Sequence, residues 1–229
     1  MLLLPPSEGK APGGSTRGAS GPWDPAAGAF GRLGPQRAAV ADALEGLDGG
    51  DERLLGARGD NLARAQTANA SLRGSPTLPA WRRYTGVVWE HLDPATLPPA
   101  ARRKIVVVSG LLGLARADDR IPDYRLKMSA SPSPLGKLST WWRGELSAVL
   151  NAAARRRVVI DLLPNEHRAA WTPAVPDGVR VTFVERHGAP GGHFAKAAKG
   201  RFARAVLTEG LGALDTWRDE RFELSISPL

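Results

Sequence analysis

The residues able to do chemistry fall in four places along the chain. Ser7-x-x-Lys10 follows the apolar opening MLLLPP, and six charged residues with a tyrosine crowd positions 116–125: Arg116, Asp118, Asp119, Arg120, Asp123, Tyr124 and Arg125. Asn165-Glu166 follows the apolar run VVIDLLP, and His193, Lys196, Lys199, Arg201 and Arg204 ring a segment of helical period. A serine three residues before a lysine has the spacing of an activated nucleophile and its base, but that geometry belongs on a helix and here lies on a loop. As a nucleophile pair the signal is poor. A buried lysine beside Arg125 has its pKa lowered by desolvation and like charge, and can then form a Schiff base or act as a base. Lys10, Ser7, Asp118, Tyr124, Arg125 and Glu166 form the candidate catalytic set, provided the three segments converge. The alternative is a buried ion-pair network that fixes the loop.

Two stretches suit phosphate. Phe194, Ala198, Phe202, Ala205 and Val206 share one apolar sector at 3.6-residue period, and Lys196, Lys199, Arg201 and Arg204 take the rest of the circumference. No acidic residue falls between Glu185 and Glu209, so a cationic face opening at Gly191-Gly192-His193 is expected. Leu54-Leu55, then Gly56-x-x-Gly59, then Leu62, Ala63 and Ala65 give the outline of a helix-hairpin-helix within residues 36–73. Such an element lets backbone amides meet a phosphate without reading bases, with Arg58 and Arg64 as counter-charge. A plain αα-hairpin with a glycine turn has the same outline.

These residues need a frame that brings them together. Residues 1–5, 105–108 and 158–163 are apolar runs of the kind that fill buried strands, and each releases polar residues at its carboxyl end. VRVTFV (179–184) and RFELSI alternate like more exposed strands. Helices are expected over 36–47, 81–92, 135–154 and from Gly192, and residues 11–35 as a long mobile loop pinned by Trp23 and Phe30. Trp141 and Trp142 cannot both face inward on one helix, so one is expected to line a cleft or cover the polar loop. Strands alternating with helices argue for a single α/β domain over 1–229, a mixed sheet flanked by helices with a helical insertion. In such sheets ligands gather outside the carboxyl ends of the strands, where the polar loops fall. The basic triplets 102–104 and 155–157 precede strands and are read as structural.

The net charge is +8, from 31 basic and 23 acidic residues, which favours anionic partners, nucleic acid first. The chain has no cysteine, which removes disulfides, thiolate metal sites and cysteine nucleophiles. Histidines 91, 167, 187 and 193 are scattered, no G-x-G-x-x-G or Walker pattern occurs, and no run approaches membrane-spanning length. The expectation is a cytoplasmic protein without metal or cofactor, off the membrane.

SGLLGLARADDRIPDYRLKM resembles the signature of the YaaA family of peroxide-stress proteins. LLLPPSEGK is similar to the family's opening strand and loop, RRYTGVVWEHLD to its Tyr-Thr-Gly segment, IDLLPNEHRAAW to its Glu-bearing segment and HFAKAAKGRFARAVL to its basic carboxy-terminal helix. Lys127 departs from the acidic or small residue of many relatives. The resemblance implies an unusual α/β fold around a helical insertion. It also implies a DNA-binding protein of the hydrogen peroxide stress response, gripping phosphates with little sequence selectivity. Kept beside it is an enzyme acting on a nucleobase or nucleotide, glycosylase- or lyase-like, with Lys10, Tyr124 and Arg125 in a cationic pocket and Trp141 or Trp142 stacking a base.

Overall fold

A computed structural model describes residues 1–17, 21–186 and 192–229; His187 and Gly191 lie outside them. The chain opens with strand β1 (Leu2–Leu4), then helices α1 (Gly34–Glu45), α2 (Glu52–Leu55) and α3 (Gly59–Asn69). Strand β2 (Leu78–Pro79) and helices α4 (Ala80–Arg83), α5 (Val87–Leu92) and α6 (Pro99–Arg102) lead into β3 (Ile105–Ser109), β4 (Gly113–Arg116) and β5 (Arg120–Ile121). Helices α7 (Leu138–Trp141) and α8 (Arg143–Ala154) precede β6 (Val159–Asp161), α9 (Asn165–Arg168) and β7 (Gly178–Glu185). The chain closes with α10 (Gly192–Glu209), α11 (Ala213–Thr216) and β8 (Phe222–Pro228).

Six strands form a mixed sheet in the order β4-β3-β1-β6-β7-β8. Its centre is parallel, β1 pairing with β3 on one side and β6 on the other, while β4 and β8 are antiparallel edges. Ile105 to Val108 are at most 1 % exposed. At about 2 kcal/mol for each such side chain, burying this run places β3 inside the sheet, between β4 and β1, rather than at an edge. The mixed α/β architecture read from the sequence is the one observed.

Several local expectations are corrected. After β3 the chain does not leave as a polar loop but reverses into β4, because Gly113 takes φ +62° and its missing Cβ leaves room for the Trp142 ring. A Cβ there would fall 2.7 Å from that ring, so Gly113→Ala should lower stability by about 2 kcal/mol or more, read as a shift in the denaturant midpoint. Trp142 is fully buried and donates from Nε1 to Gly110 O at 2.8 Å, while Trp141 stays half-buried. The helix expected over 81–92 is two helices, because Tyr84 is extended between them and bridges to Lys10. The 135–154 helix is likewise divided, into α7 and α8.

Residues 21–35 are held to the body rather than mobile. Trp23 and Phe30 are each 5 % exposed, and buried Arg37 donates to Pro25 O, Ala27 O, Leu112 O and Leu114 O. In the insertion, α2 is a single four-residue turn capped by Asp51, and Gly56 at φ +57° joins it to α3 across two further residues. That geometry is common to a helix-hairpin-helix and a plain αα-hairpin.

Candidate functional site

The strand order sets where a ligand can sit. The chain departs from β1 to one side to build β3 and β4, then returns to build β6 and β7 on the other, so β1 lies at the switch point. A crevice opens at the carboxyl edge of such a point. Here it is a cleft of about 350 Å³ whose walls include Pro5 to Lys10 after β1, Gly86 to Trp89 on α5, Arg125 to Lys127, Pro164 to His167 after β6, and Lys196 with Lys199 on α10. Segments more than a hundred residues apart in sequence therefore share one hollow.

Lys10 is 8 % exposed and lies at its floor. Its Nζ donates to Ser7 O at 2.9 Å and sits 4.1 Å from the Tyr124 ring centroid. Beneath it Tyr84 and Tyr124 share a hydroxyl–hydroxyl hydrogen bond of 2.9 Å, and Tyr124 reaches Ser109 Oγ at 2.7 Å. Burial raises both phenol pKa values, Tyr124 to about 12, so both stay neutral. Tyr124, expected in the catalytic set, is 1 % exposed and does not line the cleft; its ring backs Lys10 from below.

Desolvation brings Lys10 to a pKa of about 7; Asp123 and Glu8 oppose the shift, and Arg125 and Arg83 add to it. The unfolded chain therefore binds more protons than the folded one between about pH 7 and the ordinary lysine value. Stability should rise with pH across that window, by up to about 1.4 kcal/mol per unit from this group, and level off below about pH 7, where the amine is protonated in both states. Denaturant midpoints from pH 6 to 9 should climb more steeply for the natural protein than for Lys10→Met.

Ser7 is not a partner for that amine through its hydroxyl. Oγ donates to Gly9 O and accepts from the Thr85 amide at 3.1 Å, leaving the carbonyl to Lys10. The loop geometry thus removes the nucleophile pairing. Asp118 is corrected more strongly. Because β4 runs back along β3, Asp118 emerges at the amino end of the sheet, where Arg102 Nε donates to it at 3.2 Å. It lines no part of the cleft. The chain then returns through β5 to place Tyr124 and Arg125 at the carboxyl edge.

Arg125 is fixed by the insertion. Its amide donates to Asn69 Oδ1 and its carbonyl accepts from Asn69 Nδ2, both at 2.9 Å, and its guanidinium reaches Leu55 O and Gly56 O at 3.3 and 3.2 Å. Arg64 on α3 donates to Lys10 O at 2.9 Å and Asp123 at 3.1 Å, lining a smaller hollow of about 90 Å³ that shares Lys10 and Arg125. Arg58 is away from the cleft, highly exposed and paired with Glu52.

The basic helix divides. Lys196 and Lys199 face the cleft, and Lys199 donates to Leu162 O at 2.6 Å, burial lowering its pKa to about 8. Arg201 instead pairs with Asp219 at 2.5 Å, and Arg204 donates to Leu92 O and Asp93 O at 3.0 and 3.1 Å. The carboxylates missing from the helix itself are supplied by other elements, so no four-cation face exists. His193 is exposed beside Phe194, which is not on the buried sector: it is 56 % exposed, with the Arg221 guanidinium 4.0 Å over its ring.

Glu166 lines the cleft, and two residues near it, His167 and Asp161, carry no sequence expectation. His167 is 6 % exposed, and burial drops its imidazole to a pKa of about 4, leaving it neutral beside Glu166 and Lys199. Asp161, fully buried, accepts from Arg168 Nε and the Leu163 amide, both at 2.7 Å, and so shapes the turn that delivers Glu166. Their only signal was position, at the end of an apolar run. Neither Trp141 nor Trp142 lines the cleft, so neither can stack a base there. Among the described residues no group of three or more His, Asp or Glu side chains could hold a metal ion, and no helix is long and apolar enough to cross a membrane.

Fold and cleft define an open α/β sheet protein with a basic hollow at its carboxyl edge. The chain belongs to the peroxide stress protein YaaA family, whose model matches residues 1–224. It is 38 % identical over 222 residues to a UPF0246 protein of Streptomyces coelicolor, covering 92 % of this chain and 84 % of that one. UPF0246 proteins of Corynebacterium efficiens and Corynebacterium glutamicum strain R are each 32 % identical, over 91 % and 90 % of this chain and 85 % and 84 % of their own lengths.

Proposed function

We propose that the protein acts in peroxide stress by binding DNA, holding backbone phosphates in the cleft with little sequence selectivity. One observation carries this reading: Lys10, Arg125, Lys127, Lys196 and Lys199, from three distant stretches, line one hollow against two carboxylates, Glu8 and Glu166. Phosphate-gripping of this kind does not read bases. The family description supplies the stress, and this chain has no cysteine with which to reduce peroxide itself. Fluorescence anisotropy with duplex and single-stranded oligonucleotides tests it. With four or five phosphate contacts, affinity should fall by about two to three decades between 50 and 200 mM salt. No binding at 50 mM overturns the proposal.

A second reading rests on Lys10 alone. A buried amine with a pKa of about 7 and a carbonyl as its hydrogen-bond acceptor is nucleophilic at neutral pH. It could add to the C1′ aldehyde of a base-free deoxyribose, lose water and form an imine, which cyanoborohydride reduces to a stable secondary amine. Covalent trapping that Lys10→Met abolishes, with DNA affinity lowered by no more than the loss of one phosphate contact, supports this enzyme. Absence of trapping removes it and leaves the binding role standing.

A further inference from the structure

Glu8 takes a position that its own stability does not explain. Its side chain is 65 % exposed, yet it turns back over the cleft, Oε2 3.5 Å from Arg125 Nη2 and Oε1 3.4 Å from Lys127 Nζ. Charge-assisted hydrogen bonds are closer to 2.8 Å, and exposed pairs this loose add little to folding. The two cations are better built than the contact they make. Asn69 clamps the Arg125 backbone on both sides, and the Leu55 and Gly56 carbonyls aim its guanidinium. Lys127 Nζ lies close against Gly56, where a Cβ would come within 2.9 Å of it. The result is a fork of two positive groups held apart by the helical insertion, with two carboxylate oxygens spread across it.

We propose that this fork is a subsite for a terminal phosphomonoester, and that Glu8 occupies it until such a phosphate displaces the carboxylate. The inference deepens the reading of the cleft as a DNA site and rests on it. A phosphomonoester carries close to two negative charges near neutral pH, against one for an internal diester, and matches a fork of two cations. The hollow of about 350 Å³ is the size of one nucleotide, and Lys10 over the two tyrosines closes its floor. The hollow therefore seats the terminal nucleotide of a strand, whose adjoining phosphates lie at its mouth, where Lys196 is exposed. The same chemistry is offered by a free nucleotide and by a strand terminus.

Calorimetric titration at 50 mM salt distinguishes these, using a 5′-deoxynucleoside monophosphate and a short oligothymidylate with either a phosphate or a hydroxyl at its end. The phosphate-ended strand should bind the natural protein about tenfold more tightly than the hydroxyl-ended one. Glu8→Gln should raise affinity for both phosphorylated probes about three- to tenfold and leave the hydroxyl-ended strand unchanged, while Lys127→Met should erase the preference for phosphate. Mononucleotide binding as tight as the strand's identifies the free nucleotide as the ligand; weaker binding identifies the strand end. Equal affinity for both ends, or Glu8→Gln with no gain, overturns the subsite while DNA binding stands. No binding by any probe removes the broader reading as well.

Discussion

Replacing Lys127 and Lys196 together by alanine is expected to cut DNA affinity at 50 mM salt by about two decades and to lower the slope of log affinity against log salt by nearly two. Each side chain lines the cleft, and neither shapes the core: Lys127 reaches only loosely to Glu8, and Lys196 is exposed. A hydrogen bond to a charged group contributes about 1.5–3 kcal/mol when its partner is buried against it, and each phosphate contact releases about one counterion. Anisotropy titrations over a series of salt concentrations read both quantities. Arg58→Ala serves as the comparison. If the turn between α2 and α3 also grips phosphate, Arg58→Ala lowers the slope by about one; if the cleft alone does so, the slope stays. A double variant whose slope matches that of the natural protein would mean the DNA lies elsewhere.

The second large effect belongs to Arg168. Asp161 is fully buried at the end of β6, and Arg168 is its charge partner at 2.7 Å. Arg168→Ala leaves that carboxylate with the Leu163 amide as its remaining close donor. Stranding one member of a buried pair costs about 3–5 kcal/mol, most of it the uncompensated charge. Urea denaturation should show the midpoint falling accordingly. The pair Asp161→Leu with Arg168→Met should recover much of the loss, because removing both charges removes the desolvation problem. A single variant losing under 1 kcal/mol would show that water reaches Asp161.

The frame of the site was legible where local sequence determines structure. β1, β3 and β6 are short apolar runs, and nothing but a sheet interior suits Ile105 to Val108. What each run releases at its carboxyl end follows from direction alone, so Lys10 and Glu166 could be placed at one edge. Asp118 could not, because the reversal into β4 depends on Trp142 filling the space over Gly113 from thirty residues away. Arg201 and Arg204 misled for a similar reason: Asp219 and Asp93, their partners, lie outside the helix, 18 and 111 residues away. A helix without acids of its own looks cationic until its neighbours are known. His167, Asn69 and Glu8 gave no periodic signal at all, since each acts through one specific contact.

Asn69 ties the last residue of α3 to the backbone of Arg125 by two reciprocal hydrogen bonds. The helical arm and the hollow therefore cannot loosen independently. Fraying of the arm's final turn unfastens the Arg125 backbone, and an anion that fixes Arg125 reinforces the arm. Amide exchange along 59–69 would then slow on ligand addition, although most of that arm stands outside the cleft. A remote, easily measured stretch of backbone becomes a gauge of occupancy.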